Sequence, residues 1–344
     1  MDPNVFLPLC SSLLSFVFMA FLVDQWLERR RPYQLVWAFG MLWYGLSAGT
    51  EFIGGAFGWS EPVYRAWYLI GAIYVASWLG LGTVLLLGKT RFGYAFALSI
   101  LLAALFTFLS WQRYDYPDSG MSAYVYTAVG IVAGIAIVVQ TYRQAAWPRV
   151  ATLVIVGGSI VAIPLVLLAP LAAPGWAVDP ATGIPTGDLF PGYVRLLSPF
   201  FNITGAFALI FGALYSTYVF MPKVRIVRYT LQRGQPPARF AANLVRGIVG
   251  VPVNFVASIP GALVALFRGQ LNTRVPATIL IAIGAFIPSL TSGLSRFGET
   301  TGFFLGELLG VVFLFAGFLV SIEVFREIRI PFTHIVLHTR RGES

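Results

Sequence analysis

Two carboxylates and a few polar side chains sit where a chain this apolar tolerates them least. Glu51 is the only charged residue in 33–58, a stretch long enough to cross a bilayer, and Glu307 lies within a second such stretch, 302–325. An ionisable group at the centre of a membrane helix costs about 2.5–3.5 kcal/mol on insertion scales, so its presence points to an ion, a proton or a partner group. Asn202 lies in 195–220, and Arg65 stands near the start of 63–88 with Glu61 four residues before it, the spacing of a helical ion pair. If Glu51, Arg65, Asn202 and Glu307 converge, they form a polar site able to hold a cation, a proton or a polar headgroup. If they do not, each is a local contact: Asn202 bridging two helices, Glu307 facing water near a span end.

Aromatic residues extend the candidate site. Trp37, Met41, Tyr44, Ala48 and Glu51 recur at steps of four and three, and Trp67, Gly71, Tyr74 and Trp78 do the same. Each set falls on one helical stripe. Tyr44, Tyr74 and Trp78 are thus candidates to line a cavity between consecutive antiparallel helices; the plainer reading of such stripes is packing and interface anchoring.

Other chemistries lack their residues. The only histidines, His334 and His338, lie in the polar tail, which argues against haem, zincin and Ser/His or Cys/His catalysis in the bilayer. Cys10 is the sole cysteine, so there is no disulfide framework and no Cys-rich metal site. Lys89 and Lys223 are the only lysines and sit at span ends, which removes a retinal Schiff base. No Walker sequence occurs. No cofactor or metal is expected. An intramembrane acid/base enzyme using Glu51 with Glu307 is the weakest alternative.

The elements that must position these groups follow from composition. The chain is 58% hydrophobic and 11% charged over 344 residues, far below the roughly 25% charge of soluble domains. The fold class is an all-α, polytopic integral membrane helix bundle. Nine apolar spans occur at 5–27, 33–58, 63–88, 93–112, 121–142, 150–171, 195–220, 275–294 and 302–325. With the N-terminus outside, nineteen of the 23 basic residues fall on the cytoplasmic side, leaving Arg65, Arg113, Arg195 and Arg296 outside. The net charge of +9 thus reports topology, and a nucleic-acid partner is not expected.

The spans group into a seven-helix unit (1–221), a basic cytoplasmic connector (222–274), a terminal helix pair (275–326) and a basic tail (327–344). The connector reads as an interfacial helix from Pro236, with Phe240, Leu244 and Ile248 on one face and Arg239, Asn243 and Arg246 on another. Pro252 and Pro260 are expected to interrupt the apolar run that follows, leaving 253–267 interfacial or re-entrant rather than a tenth crossing. Residues 172–194, rich in Pro and Gly, form an outer loop or a lid. The pairs Gly45/Gly49, Gly130/Gly134 and Gly306/Gly310 permit close helix approach within the bundle or between protomers. The tail is drawn to anionic lipid. The functional reading is a non-catalytic multi-pass protein of the cell membrane, either a subunit of a larger assembly or a ligand-sensing bundle. Its partners are the lipid bilayer and other proteins or copies of itself. The alternative is a cation- or proton-coupled transporter or channel using Glu51.

Overall fold

A computed structural model describes all residues except 1, 115, 117–118, 173–177, 179–182, 184, 232–233, 273, 293–299, 321–327, 330, 334–335 and 338–344. Ten long helices account for most of it: α1 (Pro3–Arg29), α2 (Pro32–Phe57), α3 (Glu61–Leu86), α4 (Gly93–Tyr114), α5 (Gly120–Tyr142), α6 (Pro148–Leu167), α7 (Gly192–Phe220), α8 (Pro237–Phe267), α9 (Arg274–Thr291) and α10 (Thr300–Val320). A short antiparallel pair, Ile328–Arg329 with Val336–Leu337, follows.

Among the described residues nine helices are long and apolar enough to cross a membrane, but their membership differs from the expected set. Helix α2 is not among the nine, and most of α8 is. Composition explains the first difference. Gln34, Ser47, Thr50, Glu51 and five glycines lower the mean hydropathy of α2, yet Gln34, Met41, Tyr44, Ser47, Ala48 and Glu51 are buried, because α2 lies against α1, α3 and α10. Its polar groups face protein, not lipid.

Helix α8 corrects the expectation that prolines break this region. It runs unbroken through Pro252 and Pro260; each proline deletes one backbone hydrogen bond, which a helix with strong apolar flanks survives. At 31 residues it is about 46 Å long, and its contacts show how it lies. Phe240 meets Tyr94 and Tyr142, at the start of α4 and the end of α5. Ala262 packs with Met221 and Val275, at the end of α7 and the start of α9. All four partners belong to the end of the bundle where the arginine-rich connections lie. Helix α8 therefore lies across that end instead of crossing beside α7. With α2 counted and α8 set aside, nine helices run through the bundle among the described residues.

Two interlocking cores hold the crossings. The larger is built on α3 and α7, whose backbones nearly touch: a Cβ on Gly80 would come within 2.6 Å of the Gly205 carbonyl oxygen. The second joins Phe18 and Leu22 of α1, Met41 of α2, Leu79 of α3 and Leu209 of α7 to Ala285 of α9 and Val311 and Leu314 of α10. The terminal helix pair is thus built into the same packed body as the first seven helices. The three glycine pairs serve intrachain packing: Gly45 and Gly49 take Phe16 and Ser12, Gly130 and Gly134 take Ala104 and Leu101, and Gly306 and Gly310 take Thr291 and Pro288.

Candidate functional site: a carboxyl pair between the second and last crossings

Helices α2 and α3 form a hairpin turning at Gly58, whose φ of 94° suits glycine alone. Residues equally far from the turn lie at equal depth, and Glu51 and Trp67 are each eight residues from Trp59. The Trp67 indole Nε1–H donates to Glu51 Oε1 at 2.9 Å. The Trp59 indole packs on Gly54, one turn beyond Glu51, and meets Trp67 edge-on with centroids 5.9 Å apart. A tryptophan roof thus covers the carboxyl on the side of the hairpin turn, and Glu51 is only 3% exposed.

The second wall comes from the far end of the sequence. Helix α10 packs on α1 and faces α2, and it brings the Glu307 carboxyl close to that of Glu51. Tyr44, two turns from Glu51 on the same stripe, donates its hydroxyl to the Glu307 backbone carbonyl at 2.9 Å. At the helix starts Thr301 donates to Asn4 at 2.9 Å, and farther along Ser12 donates to the Gly45 carbonyl at 2.8 Å, so α1 clamps both carboxyl-bearing helices. Glu51 Oε2 and Glu307 Oε2 are both buried without a hydrogen-bond partner. Two carboxyls in contact form a hydrogen bond only when one carries a proton; if both are ionised, a cation between them must offset the repulsion.

The remaining expected site residues go elsewhere. Arg65 forms its ion pair with Glu61 at 2.7 Å and donates to the carbonyls of Val166 and Ala169 at 2.7 and 2.9 Å, so it caps the C-terminus of α6. Asn202 bonds only Ser198, one turn back on its own helix, at 3.3 Å. Tyr74 and Trp78 both point to Ser159 of α6, one to its carbonyl at 2.9 Å and the other to its hydroxyl at 3.1 Å, and both rings pack on Trp43. Tyr74 and Trp78 thus turn toward α6 while Tyr44 turns toward α10, so the three rings do not converge. Both helices carry a π turn at this level, Ile70–Tyr74 and Leu153–Gly157.

The described part of 172–194 is anchored on α3. Phe190 is buried between Tyr64 and Tyr68, the Tyr64 hydroxyl donates to the Thr186 carbonyl at 2.7 Å, and Asp188 pairs with Arg195. Trp67 touches both tyrosines, so this loop lies two rings from Glu51. The acidic residues Asp115, Asp118, Asp179 and Glu299 and both histidines lie outside the described residues. Among those described, no cluster of three metal-ligating side chains occurs.

Two groups escape a sequence reading centred on Glu51. The helical stripe marks Trp67 only as an aromatic, and counting from the hairpin turn sets it level with the carboxylate. Asp24, buried in α1 near the arginine-rich end, accepts from the backbone N–H of Phe332 at 3.0 Å and so fastens the terminal strand pair to the bundle. Compared with protein-family models, curated proteins and solved structures, the chain shows no significant match to any of them.

Proposed function

We propose that Glu51 and Glu307 form one proton- or small-cation-binding site, and that the protein is an ion-coupled membrane protein of the cell membrane rather than an enzyme. The N-terminus lies outside and the arginine-rich end is cytoplasmic, following the distribution of Lys and Arg. The observation that carries the reading is the close approach of two buried carboxyls 256 positions apart in sequence, each with a buried oxygen that the protein leaves unpartnered. Binding a proton or cation between them relieves their repulsion and draws α10 toward α2; releasing it loosens that seam. Occupancy and helix position are then the same variable, which is the minimal requirement for coupling.

A second reading, a ligand-sensing bundle or assembly subunit, draws support from enclosure, since Trp59 and Trp67 cover the pair. Purified protein in proteoliposomes separates the two. Under coupling, an imposed proton or sodium gradient drives flux that Glu51→Gln abolishes. A sensor gives no flux, yet its tryptophan emission responds to pH or sodium, and Trp67→Phe removes that response. Equal behaviour of wild type and the Glu51→Gln/Glu307→Gln double variant in both measurements rules out a site at this pair.

A further inference from the structure

Helix α8 is built inside-out for a helix docked on a protein. The face it turns toward the chain is small and polar. Gly247 and Gly250 carry the Tyr229 ring, the Asn254 side chain accepts from the N–H groups of Ile226 and Val227 and donates to the Val227 carbonyl, and Ser258 accepts from the N–H of Val224. A single asparagine and a single serine thus satisfy a non-helical segment that would otherwise hold bare backbone groups at this depth. The opposite face carries Val245, Val249, Val256, Leu263 and Phe267, all exposed, Phe267 to 87%. Arg239 and Arg246 occupy one flank between the two faces, by their helical positions, and Arg268 follows as the C-cap.

Beside this face lies an open, wholly apolar groove of about 480 Å³ lined by Ile226, Pro252, Val253, Val256 and Ala257. The chain around it is all positive: from Met221 to Arg274 there are eight Lys or Arg and no Asp or Glu. Among the described residues none of these cations has an acidic partner; Lys223 and Arg274 lie over the rings of Tyr218 and Phe220 instead. Arg225 and Arg228, which bracket Ile226, are exposed.

We infer that α8 lies in the leaflet at the arginine-rich end, and that its groove takes an acyl chain of an anionic phospholipid whose phosphate is held by Arg225 and Arg228. An apolar face with a basic flank favours such an in-plane position, and uncompensated cations select anionic over zwitterionic headgroups. Unlike the carboxyl-pair proposal, this one concerns the opposite end of the bundle and stands without it.

The test uses the full chain with its only cysteine removed (Cys10→Ser) and Val256→Cys carrying a bimane label, reconstituted in phosphatidylcholine vesicles. Acyl-brominated lipid is expected to quench the label and aqueous iodide to leave it bright; the reverse overturns the leaflet position. Replacing brominated phosphatidylcholine by brominated phosphatidylglycerol at equal fraction is expected to raise the apparent affinity about thirtyfold, the effect of two basic contacts with an anionic headgroup. Arg225→Gln/Arg228→Gln, reconstituted and folded as judged by circular dichroism, is expected to lose that preference while keeping quenching by brominated acyl chains. An unchanged preference removes the two arginines from the site. A label quenched by iodide in vesicles but shielded in native membranes assigns the groove to a protein partner and overturns the lipid reading.

Discussion

Helices α2 and α10 meet at two levels, and the two levels are held by opposite means. Toward the arginine-rich end, Met41 of α2 and Leu314 of α10 join Phe18, Leu79, Leu209 and Ile281 around a small apolar cavity of about 40 Å³, where six helices come together. Toward the other end, the same two helices present Tyr44, Glu51 and Glu307, held by hydrogen bonds with the two carboxyls close together. The apolar level is fixed by shape and has one way to pack. Under the proposed function the polar level would have two arrangements, with or without a bound proton or cation, and its two orphan oxygens mark where the difference would be made. A rigid fulcrum beside a variable contact is what lets a local binding event become a movement of one helix.

Mutations can break this contrast at either level. The largest effect is expected from Leu314→Ala: enlarging an existing cavity where the surrounding helices cannot collapse costs roughly 2–5 kcal/mol, read as a lowered midpoint of thermal unfolding in detergent micelles. Should the cost fall well below that range, the apolar level is soft and the fulcrum idea loses its footing. At the polar level Trp67→Phe keeps the ring packing and deletes one donor to Glu51, an expected loss of about 1 kcal/mol, since hydrogen bonds within membranes are individually modest. Its sharper signature is a changed response of the protein to pH or sodium, which Leu314→Ala leaves in place. The smallest effect is assigned to Asn202→Ala. Because Asn202 bonds only a serine of its own helix, stability is expected to change by less than about 0.5 kcal/mol and ion response not at all; a lost response would bring Asn202 back into the site.

How much of this was legible beforehand depends on the distance over which each residue acts. Glu51 stands out because a lone carboxylate in 26 residues of membrane-length sequence violates the solvent's preference, and that needs no partner to be seen. The ion pair of Arg65 with Glu61 is equally local, and the structure shows it. What Arg65 does beyond that, capping α6 through Val166 and Ala169, depends on a helix a hundred residues away. Tyr44 and Tyr74 are each fifteen residues from Trp59 and so share a depth, yet they turn to different partners, Glu307 and Ser159. Depth follows from counting along a hairpin, whereas direction follows from which neighbour arrives at each face.

Sequence by itself determined that the chain is a multi-pass membrane bundle, because hydrocarbon admits only long apolar helices and the spacing of charges marks their ends. It also determined which carboxylate is expensive. Tertiary structure alone decided that Glu307 and not Arg65 or Asn202 faces Glu51, that a helix long enough to cross instead lies across one end, and that a helix too polar to pass as a span is sheltered by its neighbours. The physical reason is common to all three. A side chain's cost is set by what surrounds it, and in a bundle those surroundings come from helices that the local sequence does not name.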